Sequence, residues 1–368
     1  MRIAVVSRWY PLAGREHAGL FVREQVDALS ADHDMSVLVP AAARTAEVVR
    51  FLTARAPLAR EAVVPLPERI PAGVLLRSLV LDRALSRGPG RPPELVHVHL
   101  LAPDALPALL ACRRRRIPLV VTEHAGYLPE LVRRYRRARL QVRFVLRHAA
   151  AVVAVGSALA RAIETIEPAA RVEVVGNAID TAWFTPALSP TRDHALTVAT
   201  TLDEEKGIDL LLRAWAGLAT AGVPPLVVVG DDPRQRFTRL AAALGVTERV
   251  RFAGAVPRDE LRRLMQHAAF YVCASRAETF GVAVAEALAC GTPVVSTRCG
   301  GPEDFVTDEV GLTVPVDDEQ ALARAVGTLA AEASAYDPAV LHAHIDGLLG
   351  HDAFRRRMNA VYHSALRR

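Results

Sequence analysis

Residues 269–297 read AFYVCASRAETFGVAVAEALACGTPVVST. An apolar run (269–275) gives way to a short loop carrying Glu278, then to a helix that begins near Phe280–Gly281, then to a second apolar run, PVVST (293–297). Runs that are apolar at consecutive positions belong to strands buried on both faces, the habit of parallel sheets covered by helices. Strand, helix and strand together make one βαβ unit.

The same pattern recurs outward along the chain. The first half holds RIAVVS (2–7), MSVLVP (35–40), ELVHVH (94–99), PLVVTEH (118–124), AAVVAVG (150–156) and RVEVVGN (171–177). The second half adds ALTVATT (195–201), PPLVVVG (224–230), RVRFAG (249–254) and GLTVP (311–315). Ala/Leu/Arg-rich helical stretches connect them. Two such series, parted by the Pro-containing TPALSPTRDH (185–194), predict an α/β chain of two Rossmann-like, doubly wound domains, 1–185 and 186–350. Ligands of open α/β sheets bind outside the carboxyl ends of the strands. The chemistry is therefore expected in strand-following loops that face a crevice between the domains.

Composition narrows the class. At 368 residues the chain exceeds one ordinary core. With 51% hydrophobic and 23% charged residues, general disorder is excluded. No apolar run reaches the length of a membrane span, and MRIAVVSRWYPLAG reads as a first strand rather than a signal peptide. Four cysteines without CxxC pairing point to a reducing cytoplasm. The net charge of +5 is uneven: +9 over residues 1–185, −8 over 186–350 and +4 over the last 18. A basic half suggests an anionic partner for that half alone. Zinc-finger, RNP and bZIP patterns are absent, so nucleic acid is not the expected partner.

Several positions could carry chemistry. Glu286 lies eight residues after Glu278, roughly 12 Å along a helix axis, so the two carboxylates are not a close acid/base pair. The helix start at Gly281 offers free N–H groups that suit a phosphate or diphosphate. Lys206, in TTLDEEKGIDLLLRAW (200–215), is the single lysine among 45 basic side chains. Its ammonium suits a diphosphate, and Gly207 beside it permits close backbone approach. The loop from Tyr10 to Gly19 precedes the helix FVREQVDALS and does not match GxGxxG, which removes the main support for a dinucleotide enzyme. His97 and His99 alternate on one strand and are expected on opposite faces. His124 ends its strand, where an imidazole could bond a hydroxyl or shuttle a proton. Asp32-His33-Asp34 reads as a solvated turn, Asp231-Asp232 as a looser metal candidate, and GxSxG, HExxH and GxxxxGK[ST] do not occur. Eleven arginines face two glutamates in residues 113–147. The run 128–150 reads as one helix, either a solvated face or a surface, around Arg133, Arg134, Arg136 and Arg137, for an anionic membrane or a phosphate-bearing acceptor.

ETFGVAVAE (278–286) followed by ALACGTPVVST resembles the E-x7-E region of retaining family-4 glycosyltransferases of the GT-B fold. The similarity runs nearly end to end through the Gly19 loop, VHVH, TEHAG, VVGNAID (174–180), LDEEKG, VVVGDD, RFAGAVPRDEL (251–261) and GLTVPVDD (311–318). It implies transfer of a hexose-type sugar, with retention, from a nucleotide-sugar donor to a hydroxyl acceptor such as a glycan or lipid-linked group. No cofactor or metal is implied. Lys206 would hold the donor diphosphate and Glu286 the ribose; Glu278 with the backbone of Phe280, Gly281 and Val282 would contact sugar and phosphates. His124 would lie against the sugar, Gly19 would let the first domain close over the diphosphate, and Thr201, Gly207 and Val256 complete the donor set. The last helix (351–368) would pack back on the first domain, leaving 1–185 as the acceptor side and 186–350 as the donor side. The family's Gly-Arg-Leu is here Thr200-Thr201-Leu202, so a guanidinium is missing, for which Arg8, Arg15 or Arg276 could substitute. A nucleotide-sugar epimerase of the same architecture and a catalytically impaired nucleotide-binding protein remain as alternatives. The expected location is cytoplasmic, at the inner face of the membrane if the arginine surface docks there.

Overall fold

The structure is a computed structural model that describes residues 1–12, 18–67, 73–218 and 222–367. The chain forms two units, Met1–Ala178 with Phe354–Arg368, and Ile179–Ala353.

In the first unit, β1 (Arg2–Val6), β2 (Asp34–Ala42), β3 (Glu61–Leu66), β4 (Leu95–His99), β5 (Leu119–Glu123), β6 (Ala151–Ala154) and β7 (Val172–Val174) form one sheet in the order 3-2-1-4-5-6-7. Every pairing is parallel. The central strands are buried along their whole length, as their unbroken apolar runs require. The sequence runs did not include β3. Its EAVVPL alternates exposed and buried positions at a sheet edge, where Pro65 is tolerated and a continuous apolar run is not needed. Ile3, Val5, Val26, Val37 and Val120 share one core with Phe354, Met358, Val361 and Tyr362 of the helix His351–Leu366.

The expected single helix over 128–150 is instead two, Leu128–Arg134 and Arg136–His148. Between them Tyr135 leaves helical conformation, with φ −120° and ψ 106°. An unbroken helix would stack Arg133 over Arg136 and Arg137, and Arg134 over Arg137, and like charges at these spacings repel.

In the second unit, β8 (His194–Thr201), β9 (Leu226–Asp231), β10 (Val250–Gly254), β11 (Ala268–Cys273), β12 (Val294–Thr297) and β13 (Gly311–Val314) form a parallel sheet in the order 10-9-8-11-12-13. Leu211, Trp215, Phe237, Phe270 and Val272 are fully or almost fully buried in its core. Each sheet starts with a central strand, adds strands to one side, then reverses. The reversals fall between β1 and β4 and between β8 and β11, and at such points the strand-end loops part to leave room for a ligand. Among the described residues no helix is long and apolar enough to cross a membrane.

Candidate functional sites at the two chain reversals

In the second unit the loop after β8 carries Lys206 and the loop after β11 carries Glu278. Lys206 Nζ lies 2.7 Å from Glu278 Oε1, and Ser275 Oγ donates to the same oxygen at 2.8 Å. Burial would lower the lysine's pKa, but the charge and hydrogen bond of Glu278 outweigh it, so the ammonium is held above its ordinary range. Gly207 fixes this approach. It caps the helix Ile208–Ala216 at φ +64°, and a Cβ there would sit 1.9 Å from the Ala274 carbonyl oxygen.

Gly281 does the equivalent for the helix Val282–Ala289. Its φ is +90°, and a Cβ would meet Pro302 Cγ at 2.9 Å. No side chain among the described residues caps this helix, so its first turn presents backbone N–H groups and the positive end of the dipole beside Phe280 and Val282. Phe280 is buried against Phe305. Glu286 is half-buried within the helix. Thr201 is the exposed last residue of β8, and Val256 is half-buried after β10. Thr201, Lys206, Gly207, Glu278, Gly281 and Val282 thus gather at the ends of the two strands that flank the reversal.

Two of the three arginines named above as substitutes for the missing guanidinium are engaged. Arg276 holds Asp209 through two bonds, at 2.8 and 2.9 Å, and Asp317 through a third at 2.7 Å. Arg8 grips Asp104 at 2.5 and 3.1 Å, and Arg15 lies outside the described residues. Asp232, considered above as a metal ligand, accepts from the N–H groups of Arg236, Phe237 and Thr238 and from the Thr238 hydroxyl, at 2.9–3.1 Å. It caps the helix Arg236–Ala243. The turn at Asp32–Asp34 is not merely solvated: Asp32 and His33 both bond Asn359 of the helix His351–Leu366.

The first unit's reversal has different contents. His97 and His99 are on the same face of β4, with ring centroids 4.4 Å apart. The expectation of opposite faces fails because side chains two residues apart on a strand share a face. Tyr362 OH and Thr122 Oγ1 bracket His97 at 2.8 and 2.7 Å. His99 Nδ1 meets His124 Nε2 at 2.9 Å. Burial lowers the pKa of His97 and of His124 to about 3 and lowers that of His99 as well, so the three rings are neutral at pH 7. His124 is 6% exposed, and Phe21, just inside the helix capped by Gly19, packs on its ring at 4.7 Å. Glu123 is buried beneath them. Its carboxylate accepts from the N–H groups of Leu101, His124 and Ala125 at 2.7–2.8 Å, which ties together the loops after β4 and β5. Burial raises its pKa, and those donors oppose the rise.

Ser275 and Glu123 are not among the candidate residues read from the sequence, and His99 is read there as facing away from His97. The period of two in VHVH was the signal for His99. Arg133, Arg134, Arg136 and Arg137 are exposed; Arg133 pairs with Glu130 at 2.8 Å, and Arg134 lies over the Tyr135 ring.

Comparison with known proteins agrees with this architecture. Residues 18–183 match the family model "Glycosyltransferase Family 4" and residues 192–332 match "Glycosyl transferases group 1". D-inositol 3-phosphate glycosyltransferase 1 of Catenulispora acidiphila is 31% identical over 341 residues, covering 82% of this chain and 79% of the relative. The D-inositol 3-phosphate glycosyltransferase of Salinispora tropica is 36% identical over 190 residues, 44% of this chain and 39% of the relative, so that match spans about two fifths of the relative's length. Among solved structures, Anabaena Alr3699/HepE in complex with UDP superposes with a TM-score of 0.77 at 19% identity, over 99% of this chain and all of that one. The two parallel sheets are those of the GT-B fold, and the chain belongs to glycosyltransferase family 4.

Proposed function

We propose that the chain transfers a sugar from a nucleotide-diphosphate-sugar to a hydroxyl acceptor with retention at the anomeric carbon, without a bound metal, in glycan, polysaccharide or glycolipid synthesis. The observation that carries this reading is the Lys206–Glu278 pair beside the uncapped start of the helix Val282–Ala289. A fixed cation and a ring of N–H donors are what a departing diphosphate needs as its negative charge grows. The likeness to a protein crystallised with UDP supports a uridine nucleotide.

In this reading Lys206 turns from Glu278 to the diphosphate, helped by the backbone of Phe280, Gly281 and Val282. Glu286 holds the ribose, Val256 and Thr201 border the nucleotide, and the freed Glu278 meets the sugar. His124, with Gly19 shaping the loop before it, completes the sugar contacts from the first unit. The bond from the anomeric carbon to the diphosphate oxygen breaks, the acceptor oxygen bonds that carbon on the same face, and the acceptor's proton passes to the departing phosphate. Arg133, Arg134, Arg136 and Arg137 face a cytoplasmic anionic membrane or a phosphate-bearing acceptor.

The test is nucleotide release from UDP-glucose, UDP-N-acetylglucosamine and GDP-mannose, with and without candidate hydroxyl acceptors and with excess EDTA. Acceptor-dependent release that survives EDTA is expected. Conversion of the donor sugar to an isomer without transfer would make the chain an epimerase instead. Binding without turnover would make it an impaired enzyme, as the loss of the family arginine at Thr201 would suggest.

A further inference from the structure

The proposed reaction uses His124 and leaves the two histidines beside it without a task. His99 closes β4 and His124 follows β5, and these strands are neighbours in register, with His99 opposite Thr122. The rings of His99 and His124 lie 20° from parallel with centroids 5.2 Å apart, and the Nδ1–Nε2 separation of 2.9 Å is a hydrogen bond. Between two neutral imidazoles one nitrogen must donate and the other accept, so the tautomers of the pair are interlocked.

His124 Nδ1 decides which way the lock is set. It is buried and has no hydrogen-bond partner among the described residues. A proton there would strand a buried N–H, the type of orphan folded proteins avoid most strictly, whereas a bare lone pair is tolerated better. The proton of His124 therefore belongs on Nε2, donated to His99 Nδ1, and His99 keeps its own on Nε2. Phe21 packs against the His124 ring, so turning the ring over costs that contact as well as the hydrogen bond.

We propose that His99 is a positioning residue: by accepting the Nε2 proton of His124, it holds that ring in the tautomer that keeps Nδ1 as a bare acceptor for a ligand hydroxyl. On the reading above, which this inference deepens and rests on, the hydroxyl belongs to the donor sugar. His97, held by Tyr362 and Thr122, packs on the His99 ring with centroids 4.4 Å apart.

Two-bond ¹H–¹⁵N spectra of protein labelled at histidine, assigned with His99→Asn and His124→Gln, test this directly. His124 in the wild type is expected as a single tautomer with its proton on Nε2. His99→Leu should let its two nitrogens average, and His99→Asn, which places an acceptor oxygen near the lost Nδ1, should restore the single tautomer. With whichever of UDP-glucose, UDP-N-acetylglucosamine and GDP-mannose the wild type turns over, His99→Leu should lower kcat about tenfold or more at little cost in donor KM. His99→Asn should recover most of that loss. The pair His99→Leu/His124→Ala should be no slower than His124→Ala alone. A wild-type His124 protonated on Nδ1, a spectrum indifferent to His99→Leu, or failure of the Asn rescue would overturn the positioning role. Full turnover by His124→Ala alongside the expected spectra would overturn the sugar contact instead.

Discussion

The two chain reversals are built alike and furnished oppositely. Each has a central strand, a following loop that ends in a left-handed glycine helix cap, and a partner loop from the neighbouring strand group. In the second unit the loops bring together an ammonium, a carboxylate and an uncapped helix start, all partly open to solvent. In the first they bring together neutral, buried imidazoles above a carboxylate locked by backbone N–H groups. One scaffold can thus bring together either charged groups or a stack of neutral rings at its strand ends. A charged lining suits a diphosphate, and a neutral one suits hydroxyls.

Acid should separate the two most strongly. An unfolded imidazole takes a proton near pH 6.5, but His97 and His124 take one only near pH 3 when folded. Between those values the unfolded state binds more protons, so stability conferred by these groups is complete above pH 6.5 and falls as pH falls toward 3. From pH 7 to 5 the loss is about 2 kcal/mol per imidazole, about 4 for the pair. Urea unfolding at pH 7 and pH 5 should show it, and His124→Gln should lose about 2 kcal/mol less over that interval. Lys206 has the opposite sign: its pKa is raised on folding, so its contribution is intact below its unfolded value and is lost only as pH rises through the folded one.

Lys206→Ala should cut nucleotide release about a hundredfold, the usual cost of one group that stabilises developing charge. Thermal unfolding should scarcely move, because the lysine is partly exposed and makes one ion pair. Near wild-type turnover would shift the diphosphate to arginines and erase the contrast between the two linings. Gly281→Ala forces a side chain into φ +90° and against Pro302. It should destabilise the chain by about 1–3 kcal/mol and weaken UDP binding in calorimetry. Replacing Arg133, Arg134, Arg136 and Arg137 with Gln has the smallest expected effect, at most about 1 kcal/mol per residue at an anionic surface. Co-sedimentation with anionic liposomes should fall while UDP affinity stays unchanged; equal binding to neutral and anionic liposomes would leave these arginines as a solvated face.

Comparison of the two reversals also shows what a sequence can disclose. The second unit's site was legible because its groups stand in strand-end loops, and their placement follows from the parallel α/β pattern alone. The Lys206–Glu278 contact was not legible, since it joins loops 72 residues apart and depends on strand order. β3 was hidden by Pro65 and by its alternating exposure at an edge. In the first unit, VHVH held the information that His97 and His99 share a face, yet nothing local indicates that Tyr362 or His124 meets them. Buried polar chains are assembled from several elements, and each element alone reads as an ordinary apolar strand or helix.

Tyr362 carries a consequence for how the molecule is made. It completes the hydrogen bonding of His97 and, with Phe354 and Met358, fills the first unit's core, but it is synthesised after the whole of the second unit. On a ribosome adding about 5–20 residues per second, the interval between Ala178 and Tyr362 lasts about ten to forty seconds. Throughout that time the first unit stands with its core face open and a histidine lacking its partner, whereas residues 179–353 are complete, with all that their own core needs, before Tyr362 is made. The order of birth is therefore not the order of completion: of the two units, the one made first is the last to close.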